Sequence, residues 1–366
     1  EQWLMAKSGN RKTLTALSLQ GGGALGAYEY GVLKALYEKR GKGFRPRVVA
    51  GVSIGAINAA LLIGAKGDPL EALDRLWRER LCVSWPSLFD SSWTGFVPWS
   101  MIGLAERNLS FLGNAGMYCL KPEFFLMPAL AWLHNSSLYD TSFLRETLAD
   151  FVDPEKLNHP EKTRLIVTAV NVKTGLLSRF DNSKMELTFD HIIASGSFPV
   201  TFPMTQIGED FFWDGGVFMN MPVGEAVNAL EQIEADNPDV EREVIAIELH
   251  RMQADLPATL PEAAERFYNL IFSGKFALDR KLYDRYGAFV DLIGEIDRTI
   301  PADSPVRNHR GYKMMTRHRK IDRAMVIGEE GRGATGSGGD FSRNALNRRI
   351  EDGYSDAMAF FKKNRL

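Results

Sequence analysis

Residues 14–26 read LTALSLQGGGALG, and residues 48–63 read VVAGVSIGAINAALLI. Each is an apolar run that meets glycines and continues into a second apolar run of different period. In the first, 14–20 reads as a strand and 21–26 as a glycine loop. The next residues, 27–39, read as a helix with Tyr30, Leu33, Leu36 and Tyr37 at helical spacing. A Gly/Pro/basic connector at 41–47 leads to a second strand, 48–52, and a second helix, 54–63. Strand, turn, helix, taken twice, predicts a parallel sheet with both faces covered. The uncharged stretch 48–65 approaches the minimum length of a membrane span. It carries Gly51, Ser53, Gly55, Asn58 and Gly64 and opens on two valines, so it reads as a buried strand and a buried helix.

Composition agrees with a globular chain. The 366 residues are 45% hydrophobic and 25% charged, which excludes disorder, collagen, coiled coil and a disulfide scaffold. Lys+Arg 44 against Asp+Glu 46 leaves a net charge of -2 and gives no reason to expect nucleic acid. Cys82 and Cys119 cannot frame a secreted fold, so a reducing compartment is expected. The first ten residues lack the apolar core of a signal peptide, and a cytoplasmic location is expected, with contact at a membrane surface from outside rather than a span. No His/Cys/Asp cluster has ligand spacing, so neither metal nor organic cofactor is expected.

The organisation expected along the chain is a tail at 1–13, a catalytic domain at 14–260 and a mostly helical C-terminal extension at 261–366 packed on it. Residues 84–135 read as an aromatic-rich irregular insertion, with Trp85, Trp93, Trp99 and Trp132 among prolines and glycines; no long helix is expected before 123. Beyond it, 139–151 reads as a helix, 164–171 as a strand, and 176–180 with 185–189 as a hairpin around Asp181-Asn182. Residues 191–195 read as a short helix, 211–214 as a strand, 223–235 as a helix, and 243–249 as another central strand. Then 261–300 reads as helix, 325–327 as an edge strand, 328–339 as a mobile glycine-rich loop, and 341–364 as a terminal helix.

Gly51-Val52-Ser53-Ile54-Gly55 is a G-x-S-x-G across a strand end and a helix start. A serine on that sharp turn sits at strained backbone angles, and its neighbours two residues away must lack side chains because strand and helix pass close. The Ile54 amide and the helix N-terminus then face charge developing beside the serine. The bland alternative is a tight turn with a serine N-cap. Gly21-Gly22-Gly23-Ala24-Leu25-Gly26 also fits the dinucleotide fingerprint G-x-G-x-x-G. That reading needs an acidic residue about 20 positions on, and 40–66 contains no Asp or Glu. Consecutive glycine amides lining an oxyanion site beside Ser53 explain both loops together.

A nucleophilic serine needs a base. Of His134, His159, His191, His250, His309 and His318, only His250, at a strand end, is a candidate. Asp214 is the stronger one, because Phe211-Phe212-Trp213 before it reduce its solvation and Gly215-Gly216 after it allow a tight turn. A plain Asp-Gly turn is the bland alternative.

Together these blocks resemble the patatin-like phospholipases, a family of serine acyl hydrolases. The resemblance rests on 20–26, 51–55 and Asp214-Gly215-Gly216, with 194–199, Phe202-Pro203 and 220–223 in the same order, and covers about 14–249. It implies a three-layer α/β/α sandwich with a mostly parallel central sheet. It also implies a Ser53–Asp214 dyad without histidine, on an elbow supported by Gly51 and Gly55. The oxyanion site would be lined by Gly21, Gly22, Gly23 and Ile54, with Gly215 and Gly216 shaping the aspartate turn. Two positions depart from the family loop: Gln20 stands where many members have Asp, and Leu25 where many have Arg or Lys. The stretch 340–357 resembles a bacterial subgroup of the same family.

The expected substrate is a lipid or other carboxylic ester. The aromatic run 85–132 reads either as a lipid-facing lid or acyl pocket, or as core packing. Arg307, Arg310, Lys313, Arg317, Arg319, Lys320 and Arg323 read either as a contact for anionic head groups or as a solvated basic face. An acyltransferase using the same dyad, a lipid-binding pseudoenzyme, a histidine-using hydrolase and a dinucleotide-dependent oxidoreductase are the competing functions.

Overall fold

Strand β1 (Lys12–Leu19) sends its side chains alternately into two apolar cores, Leu14 and Ala16 into one and Leu17 and Leu19 into the other. This period-two split places β1 in the middle layer of a three-layer structure. The computed structural model describes residues 11–41, 43–84, 99–237, 239–328 and 338–365, with the side chains of 99–104, 261, 276 and 278–285 outside the description. The aromatics of 85–98 and most of the glycine-rich loop 328–339 therefore lie outside the described residues.

After β1 come α1 (Gly26–Arg40), β2 (Val48–Gly51), α2 (Ile54–Gly64) and α3 (Pro69–Arg75). The next segment holds α4 (Trp99–Leu112) and three short strands, β3 (Gly113–Asn114), β4 (Tyr118–Leu120) and β5 (Tyr139–Asp140). Between β4 and β5 lies a helical hairpin of α5 (Glu123–Leu126) and α6 (Pro128–His134). The chain continues through α7 (Ser142–Phe151), α8 (Pro154–Leu157), β6 (Arg164–Asn171), β7 (Leu177–Asp181), α9 (Phe189–Ser195), β8 (Thr205–Ile207) and β9 (Asp210–Asp214). It ends with α10 (Val223–Gln232), β10 (Val240–Glu248), α11 (Leu260–Thr299), α12 (Arg310–Met315), β11 (Arg323–Gly328) and α13 (Arg343–Lys363).

The large sheet runs β11-β10-β1-β2-β6, all parallel, and is completed by antiparallel β7, β9 and β8. This is the mostly parallel α/β/α arrangement that the two glycine turns predict. One face carries α1, α2 and α13, and the other carries α10, whose Ala226, Val227, Ala229 and Leu230 meet Leu14, Ala16, Val48 and Ala50.

The last third of the chain is built into this frame. β11 extends the sheet beside β10, and α13 lies along α1. That helix pair is close because glycines meet backbone: a Cβ on Gly31 would strike the Ile350 carbonyl, and one on Gly353 the Tyr28 carbonyl. α1 is thus covered on both sides, which explains why its polar-looking sequence is buried from Gly26 to Leu33.

Three local expectations are corrected. Residues 99–112 form a helix where none that long was expected, because the interrupting prolines at 98, 122 and 128 fall outside it and Gly103 alone costs only about 1 kcal/mol. The helix expected at 139–151 begins at Ser142; Tyr139–Asp140 is a strand, and the Asp140 carboxylate accepts the Ser142 amide at 3.0 Å. The hairpin is β6–β7, not 176–180 with 185–189. Asn171 Oδ1 accepts the Lys173 and Thr174 amides at 3.1 and 3.0 Å, which makes the turn there. Asp181 is instead a buried partner of Arg164 (2.6 Å), whose hydrogen bonds help hold its pKa down to about 2 against burial.

Candidate active site at the end of strand β2

Sheet register brings Ser53 and Asp214 together. β7 occupies one edge of β6, pairing Ile166 through Val170. β2 and β9 must therefore share the other edge: β2 ends with Gly51 opposite Val167, and β9 arrives from the opposite direction with Asp214 opposite Ala169. Two strands meeting head-on along one neighbour place their terminal residues at one point. Ser53, two residues past the end of β2, and Asp214, the last of β9, occupy it.

The elbow has the strain the sequence demands. Ser53 has φ 56° and ψ −126°, in the region that L residues rarely adopt. A Cβ on Gly51 would stand 2.5 Å from the Gly55 carbonyl oxygen, and one on Gly55 2.5 Å from the Leu19 carbonyl oxygen, so only glycine fits either place. The Ser53 amide donates to Ser195 Oγ (3.0 Å), and that hydroxyl donates to the Thr168 carbonyl (2.7 Å). α9 and β6 thus fix the elbow from below.

Asp214 is 1% exposed. Burial pushes its pKa up to about 7, while the Ser53 hydroxyl and the Gly216 amide favour the charged form. The Gly216 N–H donates to Asp214 Oδ1 at 2.7 Å, and the Asp214 amide donates to the Ser197 carbonyl at 2.9 Å. A carboxyl buried beside a serine, with a pKa near neutrality, can exchange a proton with it.

The glycine loop closes the site. Among the described residues, the amides of Gly22, Gly23 and Ile54 donate to no acceptor, consistent with a place for a developing oxyanion. The Gly21 amide, counted with them from sequence, is already engaged: it donates to the Asn220 carbonyl at 3.1 Å. Its carbonyl accepts Asn220 Nδ2 at 3.0 Å and lies 2.9 Å from His250 Nε2. α13 and the segment before it reach the same loop: the Ala24 amide donates to the Gly338 carbonyl (2.7 Å), and Arg349 Nη1 of α13 donates to the Ala24 carbonyl (3.3 Å).

The two departing positions are both buried. Gln20 donates its amide to Glu29 Oε1 (2.6 Å) and accepts the Leu249 amide on Oε1 (2.5 Å). Asn58 Nδ2 donates to Glu29 Oε2 (2.9 Å), and Trp77 Nε1 donates to Asn58 Oδ1 (3.0 Å). Burial raises Glu29 to about 8, while the hydrogen bonds from Asn58 and the Gln20 amide favour its charged form. Leu25 packs into the core and presents nothing to the site.

Sequence reasoning missed Asn220 and His250 as partners of Gly21, and Ser195 as the acceptor for Ser53. The signal for two of them was present, because Ser195 and Asn220 lie in blocks that accompany the elbow and the aspartate. The basic run is largely paired, with Arg307, Arg319, Lys320 and Arg323 held by Asp297, Asp236, Asp291 and Glu241. By contrast, Phe125, Leu126, Met127, Leu130, Trp132 and Leu133 of the hairpin are exposed. Among the described residues, no group of side chains could hold a metal ion and no helix is long and apolar enough to cross a membrane.

Similar solved structures include VipD from Legionella pneumophila, with 16% identity, TM-score 0.41, and coverage of 97% of this chain and 67% of that one. A chain of the ExoU–SpcU complex from Pseudomonas aeruginosa has 18% identity, TM-score 0.30, and coverage of 84% and 67%. Human GIVD cytosolic phospholipase A2 has 13% identity, TM-score 0.39, and coverage of 96% and 60%. This chain therefore spans about two thirds of their length or less. Comparison with curated proteins returned no match. The family model for patatin-like phospholipase matches residues 17–227, more than half of the chain and the whole stretch from the glycine loop to Asn220, and the chain belongs to that family.

Proposed function

We propose that this protein is a lipid acyl hydrolase that cleaves carboxylic esters through Ser53 and Asp214. The observation that carries this reading is the meeting of a strained serine, a buried aspartate and unengaged loop amides at one point. Asp214, ionised, takes the Ser53 proton as Oγ attacks the ester carbonyl. The Gly22, Gly23 and Ile54 amides stabilise the oxyanion, helped by the N-terminus of α2. Asp214 returns the proton to the leaving alcohol, leaving an acyl-serine. A water then gives a proton to Asp214 and attacks the acyl carbon; as the C–Oγ bond breaks, Asp214 passes that proton to Ser53 Oγ, and the fatty acid leaves with both residues restored.

Family membership supports lipid as the substrate class, and the exposed hairpin supports access to lipid in an aggregate. It is tied to the site, because Leu138 and Tyr139, just beyond it, donate to the Val200 and Thr201 carbonyls at 3.0 Å each, in the segment that follows Ser197. The test is hydrolysis of a soluble ester and of phospholipid vesicles by the wild type, Ser53→Ala and Asp214→Asn. Both variants are expected to remain folded and lose turnover on both substrates. Full turnover by either would remove that residue from the mechanism. Adding an acceptor alcohol to the assay measures how much acyl group goes elsewhere than to water.

A further inference from the structure

The Gly21 carbonyl and the Gly22 N–H belong to one peptide unit. A trans peptide is planar, so its C=O and N–H point in opposite directions. Whatever holds the Gly21 oxygen therefore aims the Gly22 hydrogen. Two side chains do so: Asn220 Nδ2 at 3.0 Å and His250 Nε2 at 2.9 Å, filling both lone pairs of the oxygen. We infer that His250 is a positioning residue that orients and polarises the Gly21–Gly22 peptide, so that the Gly22 amide donates to the oxyanion. The inference rests on the serine-hydrolase reading given above.

Several observations fit this role and not that of a base. His250 is 5% exposed and sits one residue past the Leu249 amide that grips Gln20. A carbonyl can only accept, so Nε2 must carry hydrogen, and a nitrogen committed as donor cannot take the Ser53 proton. Burial holds the imidazole pKa below its ordinary value, against the Asn269 and Gly21 oxygens, which favour the charged form. Nδ1 lies 2.8 Å from Asn269 Oδ1, and this contact fixes the orientation in which Nε2 meets the Gly21 carbonyl. Donation into a carbonyl strengthens donation from the N–H of the same peptide.

The contact also links the loop to α11. Asn269 orients the ring, and Phe272 packs against it at 5.0 Å between ring centroids. The same stretch of α11 reaches the aspartate side: Phe198, next to Ser197, meets Tyr268 and Phe272 at 6.0 and 6.4 Å, and Lys275 donates to the Val217 carbonyl. One face of α11 thus touches the supports of both halves of the site.

The experiment compares His250→Phe, His250→Gln and Asn269→Ala with Ser53→Ala and Asp214→Asn, reading kcat and KM for a soluble ester and inhibition by a trifluoromethyl ketone. Phenylalanine keeps the ring's bulk and removes the donor; glutamine can put an N–H near the place of Nε2. His250→Phe is expected to lower kcat about tenfold or more with KM within about twofold, and to weaken the ketone in parallel. His250→Gln should recover most of the loss, and Asn269→Ala should show a smaller loss in the same direction. Thermal unfolding of each variant accompanies the kinetics. Wild-type kcat in His250→Phe, or equal losses in the Phe and Gln variants that follow stability alone, would overturn the inference. An active Asp214→Asn with a dead His250→Phe would make His250 the base and overturn both readings. Active Ser53→Ala would sink the hydrolase reading by itself.

Discussion

Helix α2 and the hairpin α5–α6 are both rich in large apolar side chains and use them in opposite ways. In α2, Ile54, Ile57, Leu61 and Leu62 are buried against the sheet, α1 and the residues before β6. In the hairpin, Leu126 and Leu133 are each 78% exposed, and Trp132 touches only the edge of the Phe124 ring among the described aromatic pairs. The difference follows from position. α2 starts directly after Ser53, and its core packing holds the strained elbow in place. The hairpin leaves the fold between two strands of two or three residues, and of its apolar side chains Ala131 alone among the described residues is buried. Apolar residues in the first are fold energy; in the second they are exposed surface.

The largest effect expected from breaking this contrast is at the elbow. Ser53→Ala and Asp214→Asn should each lower kcat by at least about a thousandfold while leaving the fold intact. A step further down, Leu61→Ala should cost about 2–5 kcal/mol, because it opens a cavity behind the elbow. Leu126→Ala in the hairpin should stay within about 0.5 kcal/mol, and urea unfolding reads both. Equal costs would mean the hairpin is packed after all.

Acid–base behaviour sharpens the same contrast. With Asp214 raised from 3.8 to about 7, kcat/KM should rise with pH through an apparent pKa near 7. Stability should move the other way. The raised folded pKa values of Asp214 and Glu29 mean that the unfolded chain releases these protons first. Their stabilisation is complete below about pH 4 and is lost as pH rises towards 7 for Asp214 and 8 for Glu29. Unfolding of Asp214→Asn with Glu29→Gln should show a flatter pH dependence than the wild type. The smallest effect belongs to the surface: Leu126→Ser with Leu133→Ser should lower hydrolysis of vesicle phospholipid several-fold more than hydrolysis of a soluble ester. An equal effect on both would deny the hairpin a role in reaching lipid.

The elbow was legible because its constraint is local. Gly51 and Gly55 are required by backbone passing within van der Waals distance, and that requirement is written at fixed offsets from Ser53. The parallel sheet was legible from two βα repeats. What sequence could not show depends on register between distant strands. Nothing near Asp214 says that β9 will share an edge of β6 with β2, and nothing near His250 says that its ring will meet Gly21, 229 positions away. The hairpin error is of another kind: β7 pairs with β6 just before it, through the turn that Asn171 holds, and not with the segment after it. Apolar surface and apolar core look alike in the hairpin and in α2, because burial is decided by what arrives later in the chain.

The central claim is that Asp214 activates Ser53. It is tested most directly by labelling with a fluorophosphonate probe, followed by intact mass and peptide mapping, across pH and in Asp214→Asn. The account predicts one adduct, on the peptide containing Ser53, formed at a rate that rises with pH about a midpoint near 7 and lost in the variant. An adduct on another residue, or labelling of Asp214→Asn at the wild-type rate, would contradict it.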